Sequence, residues 1–290
     1  MTIGETVRSY LCLCKAKISV FASLSAAVGF SLAAHSAGTT WTVLILGVFL
    51  MACGACSLNQ YQERESDALM ERTATRPLPA GKIKPGDALC ISMALIGSGA
   101  GLLFFTGSLS AFLLGLGAVA WYNGFYTRSK ARHAFAVLPG ALVGALPPAI
   151  GWLAGGGSIA APPVAVLCFF FFMWQIAHFF IHQLVFGKEY EAIDRPSLTA
   201  VFSGPQLDRL SFQWLVAAAV SLQLVIFQGV VRSHLVQIAL FMASLWLVVE
   251  GTRLLKKSKP GYPGIFRMIN HVMLAVMVLF LLDRLARYHG

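Results

Sequence analysis

Long apolar runs alternate with short polar joints along the whole chain. A helix that spans a bilayer needs about 20 predominantly apolar residues. Nine segments meet that requirement, with cores near 18–36, 41–60, 88–106, 109–126, 134–153, 161–186, 212–231, 235–252 and 265–283. Several carry no charge, and small residues such as Gly97, Gly99 and Gly101 suit close helix packing in lipid. The pattern predicts an all-α membrane protein of about nine transmembrane helices around a central cavity. A polar segment, 1–17, precedes a single membrane domain, 18–285. The opening segment lacks the apolar core of a cleaved signal, so the first spanning helix is expected to direct insertion.

Composition agrees with this class. Of the 290 residues 57% are hydrophobic and only 12% charged, against about a quarter charged in soluble domains. The net charge of +10 therefore points to topology and an anionic ligand, and no nucleic-acid partner is expected. Six cysteines show no paired spacing of a disulfide scaffold. Cys53 and Cys56 form a CxxC without a second pair or a nearby His, which reads as helix packing.

Charge placement sharpens the picture. With the N-terminus in the cytoplasm, 19 of the 22 basic residues fall in cytoplasmic segments, leaving Arg232, Arg284 and Arg287 outside. Most acidic residues share that face although the topology rule does not require it. Glu63, Glu65, Asp67 and Glu71 lie within nine residues. The polar loops near 61–86 and 187–211 are accordingly the expected caps over a reactive site.

Asn59-Gln-Tyr-Gln-Glu63-Arg64-Glu65-Ser-Asp67 continues from the second apolar run without Gly or Pro, so the helix is expected to run on. At about 100° per residue, positions 59, 63 and 67 form one stripe of oxygen ligands. Hard cations such as Mg²⁺ commonly take one or two carboxylates together with substrate phosphates. The alternative is a solvated, ion-paired helix end. Downstream, Arg72 and Arg76 flank a Pro-braced turn ending at Gly81, and a second basic group comprises Arg128, Lys130 and Arg132. Arginine forks match phosphate oxygens; membrane anchoring explains any one of these residues, but less readily the pairing of acidic and basic groups on one face. The sixth run carries Trp174, Gln175, His178, His182 and Gln183 in an otherwise lipid-compatible helix. Ionisable groups inside a membrane are functional candidates by default, with interhelical hydrogen bonding as the competing role.

These residues carry a resemblance. Asn59-xxx-Glu63-xxx-Asp67, then Asp67-Ala-Leu-Met-Glu-Arg72 and Arg76-Pro-Leu-Pro-Ala-Gly81, is similar to the first signature of the UbiA superfamily of intramembrane prenyltransferases. Gly144-Ala-Leu-Pro147-Pro148 to Trp152, Trp174-Gln175-xx-His178-Phe179, Glu189-Tyr190 and Pro196-x-Leu198 resemble the protoheme IX farnesyltransferases within it, over about residues 10–285. The resemblance implies Mg²⁺ bound by Asn59, Glu63 and Asp67, which are also the expected catalytic residues. Arg64, Arg72, Arg76, Arg128, Lys130 and Lys188 are the expected diphosphate ligands. His178, His182, Gln175 and Tyr190 are expected to face the acceptor. The chain has Lys188-Glu189 where the family places an acidic pair, so a second metal would rest on Glu189 with Glu191 or Asp194. It also has Ile176-Ala177 in place of the family's Pro-Pro and His133-Ala-Phe-Ala in place of its Thr-Pro and Asn pattern.

The implied reaction transfers farnesyl from farnesyl diphosphate to heme B in the bacterial inner membrane, with the active site cytoplasmic and a downstream heme-modifying enzyme as a further partner. Two other readings remain open: a UbiA-type enzyme acting on an aromatic acid or quinone precursor, and a membrane transporter. Acidic groups gathered at one face, and not at broken helices near the midplane, count against the transporter.

Overall fold

The computed structural model describes residues 2–34, 38–256 and 261–288, with side chains to 284. Among the described residues every regular element is helical. Lipid offers no hydrogen bonds to a backbone, and a helix pairs its own N–H and C=O groups within one segment. Among the described residues eight helices are long and apolar enough to cross a membrane: α2 (Ala16–Ala33), α3 (Thr39–Leu69), α5 (Pro85–Phe105), α8 (Val137–Ala154), α9 (Pro162–Glu191), α11 (Gly204–Phe227), α12 (His234–Gly251) and α13 (Tyr262–Tyr288). Shorter helices are α1 (Ile3–Leu13), α4 (Glu71–Ala74), α6 (Leu109–Val119), α7 (Thr127–Lys130) and α10 (Leu198–Val201). The ninth expected span, 109–126, differs from a uniform helix. Here α6 runs into a π-helix, Ala120–Tyr126, and then directly into α7.

The helices close into a ring. α2 packs against α3 and α8, α3 against α5, α8 against α9, and α9 against α11 and α13; α13 returns to α2. Glycine makes the tightest of these crossings. A Cβ added to Gly151 would lie 1.8 Å from the Ala26 carbonyl oxygen, and one added to Gly29 would lie 1.9 Å from that of Pro148. At α3 against α5 the same device recurs at Gly54 and Gly99, which face Ile96 and Met51. Without a hydrophobic driving force between helices in lipid, close backbone approach supplies the dispersion contacts that hold them. Cys53 and Cys56 are buried on α3.

Two segments differ from the sequence expectation at the polar end. α9 continues to Glu191, so Lys188, Glu189 and Tyr190 stand on its last turn and not in a loop. The N-terminal segment forms α1, whose Thr2 and Glu5 make a reciprocal capping box. The basic residues Lys257 and Lys259 lie outside the described residues, as does the Arg287 side chain.

The α2–α8 crossing leads to a stability prediction. Gly151→Val should lower the thermal unfolding midpoint in detergent through a cost of about 1–3 kcal/mol. Gly97→Val, whose Cβ would meet nothing within 4 Å, should leave the midpoint unchanged. Equal midpoints for both variants would overturn the crossing geometry.

Candidate functional site

α3 runs on past its apolar core to Leu69 before Met70 leaves the helix, and the stripe begins at the end of that core with Asn59 and continues through Glu63 and Asp67. Asn59, Glu63 and Asp67 are buried, with 1%, 6% and 2% of their surfaces exposed. Isolated carboxylates so placed would be strongly disfavoured, and each has a basic partner. Lys130 Nζ lies 2.8 Å from the Glu63 carboxylate, and Arg195 Nη1 is 3.9 Å from it. Arg76 Nη1 donates to Asp67 Oδ2 at 2.5 Å. Asn59 Nδ2 donates to Glu63 Oε2 and Thr127 Oγ1, each at 3.1 Å, while its Oδ1 accepts from Lys15 Nζ at 2.8 Å. At the rim Arg72 Nε pairs with Glu189 at 3.1 Å.

Local structure explains why these groups meet. Lys15 stands between α1 and α2 with φ 45°, a left-handed conformation that turns the chain inward. Gln60, 1% exposed, donates to the carbonyls of Cys12 and Leu13 at 2.8 and 2.9 Å and so ties the end of α1 to α3. Burial, then the Arg76 and Lys130 charges, pushes the Lys15 ammonium below its ordinary range. Asp194, with φ 52°, forms a second left-handed turn that reverses the chain after α9. The Arg195 N–H bonds back to the Tyr190 carbonyl at 2.9 Å, directing Arg195 toward Glu63. Lys15 and Asp194 are the only non-glycine residues with positive φ among the described residues, and backbone strain of this kind clusters at working sites. Arg76 opens the turn braced by Pro77 and Pro79. Gly81 takes φ +69° there, and buried Leu78 and Ile83 pack with Leu13.

Beyond the rim lies an aromatic wall on α9 and α13. The His178 ring is 5.1 Å from Trp174 and 4.8 Å from Phe266; His182 is 4.8 Å from Phe186 and 5.8 Å from Phe266. His178 Nδ1 and Trp174 Nε1 are buried with no hydrogen-bond partner among the described residues. Arg72 joins the two regions, because its guanidinium stacks over Phe186 at 4.8 Å while pairing with Glu189. Gln175 faces α8 where Gly144 leaves it room, and Tyr190 is buried on the last turn of α9.

Other expected residues are not brought to the stripe. Arg64 stacks over Tyr61 and pairs with exposed Glu65 away from the stripe, because residue 64 is rotated about 100° from 63. Arg128, Lys188 and Asp194 are exposed. The Glu191 carboxylate accepts from Ser197 and Thr199. Among the described residues no group of three or more His, Cys, Asp or Glu converges as a preformed metal cage. The oxygen donors of the stripe nonetheless suit a hard cation that shares its coordination with phosphate, which needs only one or two carboxylates.

The UbiA prenyltransferase family profile matches residues 21–278. The chain belongs to this family. Protoheme IX farnesyltransferase of Nitratidesulfovibrio vulgaris is 32% identical over 281 residues, covering 97% of this chain and 96% of its own. The enzyme of that name from Oleidesulfovibrio alaskensis is 33% identical over 279 residues, covering 96% and 97%. A solved UbiA homolog from Archaeoglobus fulgidus, bound to DMAPP and Mg²⁺, superposes with a TM-score of 0.74 at 14% identity, over 95% of this chain and 99% of that one. The protein is thus a multi-pass membrane prenyltransferase of UbiA fold, and the transporter reading falls away. Within the UbiA frame, sequence reasoning missed Lys15, Arg195 and Thr127 as site residues. The sequence presents both basic ones as topology charges; Arg195 is marked out only by its place directly before Pro196.

Glu63→Gln and Asp67→Asn should each lower turnover by about 10²- to 10³-fold, on the scale of losing one preorganised electrostatic group. Asp194→Asn should stay within about threefold of the parent, as an exposed residue remote from the reacting charge. Near-parental turnover in both stripe variants, with unfolding midpoints confirming folded protein, would remove the stripe from the active site.

Proposed function

We propose that the enzyme transfers the farnesyl group of farnesyl diphosphate to a vinyl group of protoheme IX, forming heme O and diphosphate. Arg72 is the observation that carries this reading: one guanidinium pairs with Glu189 at the rim of the charged site and lies over Phe186 in the His and aromatic wall. The names of the curated relatives support the same acceptor.

Diphosphate leaves only when its growing charge is met by fixed positive groups. Lys15, Arg76, Lys130 and Arg195 surround the stripe, and Arg72 stands at its edge toward the aromatic wall. Asn59, Glu63 and Asp67 are the residues that would hold Mg²⁺, with Glu189 at the rim. Bound there, Mg²⁺ supplies Lewis-acid neutralisation of the diphosphate oxygens. Gathering both signs around one stripe would serve this pair: the carboxylates would hold the cation, while the lysines and arginines would bind phosphate oxygens.

Breaking the C1–O bond leaves an allylic cation, which bulk water would destroy, so the apolar bundle restricts water to the polar mouth. Phe186 and Phe266, with ring centroids 6.3 Å apart, would offer aromatic quadrupoles to stabilise that positive charge. Vinyl π electrons form the new C–C bond to C1, and one water adds to the cation left on the adjacent carbon, giving up a proton to the departed diphosphate and leaving a hydroxyl. A flat macrocycle fits against the His178, His182 and Phe266 rings by stacking. By the positive-inside rule, the stripe end of the bundle faces the cytoplasm, and the bacterial relatives point to the inner membrane.

Purified protein incubated with farnesyl diphosphate and Mg²⁺ should convert heme B, and not 4-hydroxybenzoate, to a farnesylated product resolved by mass spectrometry. A prenylated benzoate with unmodified heme would overturn the acceptor. Chelation with EDTA should abolish turnover and added Mg²⁺ restore it; undiminished turnover in EDTA would sink the metal assignment.

A further inference from the structure

The helix that starts at Leu109 widens at Ala120–Tyr126, where the Thr127 N–H bonds to the Tyr122 carbonyl five residues back. An α-helix turns about 100° per residue, so a turn holding one extra residue rotates everything after it by about that angle. The rotated portion is the one that reaches the stripe: Thr127 Oγ1 lies 3.1 Å from Asn59 Nδ2, and Lys130 Nζ 2.8 Å from Glu63. With α-helical pitch throughout, the same residues would point elsewhere. The sequence of this turn, Ala-Trp-Tyr-Asn-Gly-Phe-Tyr, holds no proline to force the change.

Two amide side chains hold it instead. In an α-helix the Asn123 carbonyl would pair with the Thr127 N–H; here it accepts from Gln62 Nε2 at 3.1 Å. Asn123 Nδ2 returns a bond to Gln62 Oε1 at 3.2 Å and donates to the Ala55 carbonyl at 2.9 Å. Thr127 Oγ1 also donates to the Tyr122 carbonyl at 2.9 Å. Gln62 adjoins Glu63 on α3, so the wide turn is fastened beside the carboxylate that its far end must meet. The clamp leaves Asn123 Oδ1 buried without a hydrogen-bond partner among the described residues. A buried orphan acceptor is costly, and an apolar pair at these positions would avoid it, so stability alone is a poor reason for the amides.

We infer that Gln62 and Asn123 are positioning residues for the prenyl donor: they lock the π turn that aims Thr127 and Lys130 at the Asn59–Glu63 stripe. The inference rests on the reading of Lys130 as a diphosphate ligand. Neither amide needs to touch substrate; both act through Lys130.

Steady-state kinetics with the full-length enzyme tests this. Gln62→Leu should raise the KM for farnesyl diphosphate about tenfold, the scale of one to two lost hydrogen bonds, and leave the acceptor KM and the unfolding midpoint unchanged. Gln62→Glu keeps the size and the acceptor for Asn123 Nδ2 but cannot donate to the Asn123 carbonyl, and should raise the same KM if Gln62→Leu fails to fold. Lys130→Ala should raise the donor KM by itself, and Gln62→Leu added to it should have no further effect, because both act on one contact. An unchanged donor KM in both Gln62 variants, or the same multiplicative increase with and without Lys130, would overturn the inference. If the parent enzyme prenylates another acceptor in place of heme, the proposed acceptor fails while the donor KM comparison, run with that acceptor, still decides the clamp.

Discussion

Burying negative charge at the end of a membrane bundle is the constraint that shapes the whole site. Glu63 and Asp67 are almost wholly removed from solvent. Removing one partner of such a pair typically costs about 3–5 kcal/mol, because the other charge is left buried and uncompensated. The chain therefore delivers a positive group to each carboxylate: to Glu63 from distant segments, Lys130 from the helix after α6 and Arg195 from the turn after α9, and to Asp67 from nearby, Arg76 of the Pro-braced turn. Lys15, from the joint between α1 and α2, meets the same stripe through Asn59. Residues more than a hundred positions apart in sequence are thereby drawn to one helix face. The same charges that settle the buried carboxylates are of the type and number to receive a diphosphate with its metal, so the folding requirement and the chemical requirement coincide.

Delivery depends on unusual backbone. Left-handed turns at Lys15 and Asp194 and a π-helix before Lys130 each redirect a basic residue toward α3. Regular helices alone would leave these residues at the membrane surface, where the positive-inside rule places basic residues by default. Such distortions persist because surrounding contacts over-determine them. Gln60 and Gln62, two residues apart on α3, do much of that work by binding carbonyls of α1 and of the π turn. The small-residue crossings at Gly29 and Gly151 support them by holding α2 against α8.

The stripe was legible because helical periodicity is local: residues four apart share a face whatever the surroundings. The same rule, applied to Arg64, separates it from Glu63, and the structure places it with Tyr61 and Glu65. Arg128 and Lys188 illustrate a different limit. Arg128 belongs to a basic cluster and Lys188 to an acidic one, both beside the site, but both side chains are exposed, Arg128 only two residues from Lys130, which pairs with Glu63. Cluster membership reports the membrane face, while the direction of a side chain depends on helix phase and pitch. The π-helix changes that phase through contacts with α3, so no rule confined to 109–126 reveals it.

By itself the sequence determined the class, the approximate spans, the charged face, the oxygen stripe and the family, because each rests on composition or on spacing within one segment. Tertiary structure alone decided which cations meet which carboxylates. It also decided that Lys15 and Arg195 reach the stripe while Arg64 and Asp194 point away from it, and that Arg72 joins Glu189 at the rim to the aromatic wall. Those outcomes depend on crossing distances and on the rotation of one helix relative to another, and both arise only when the ring of helices closes.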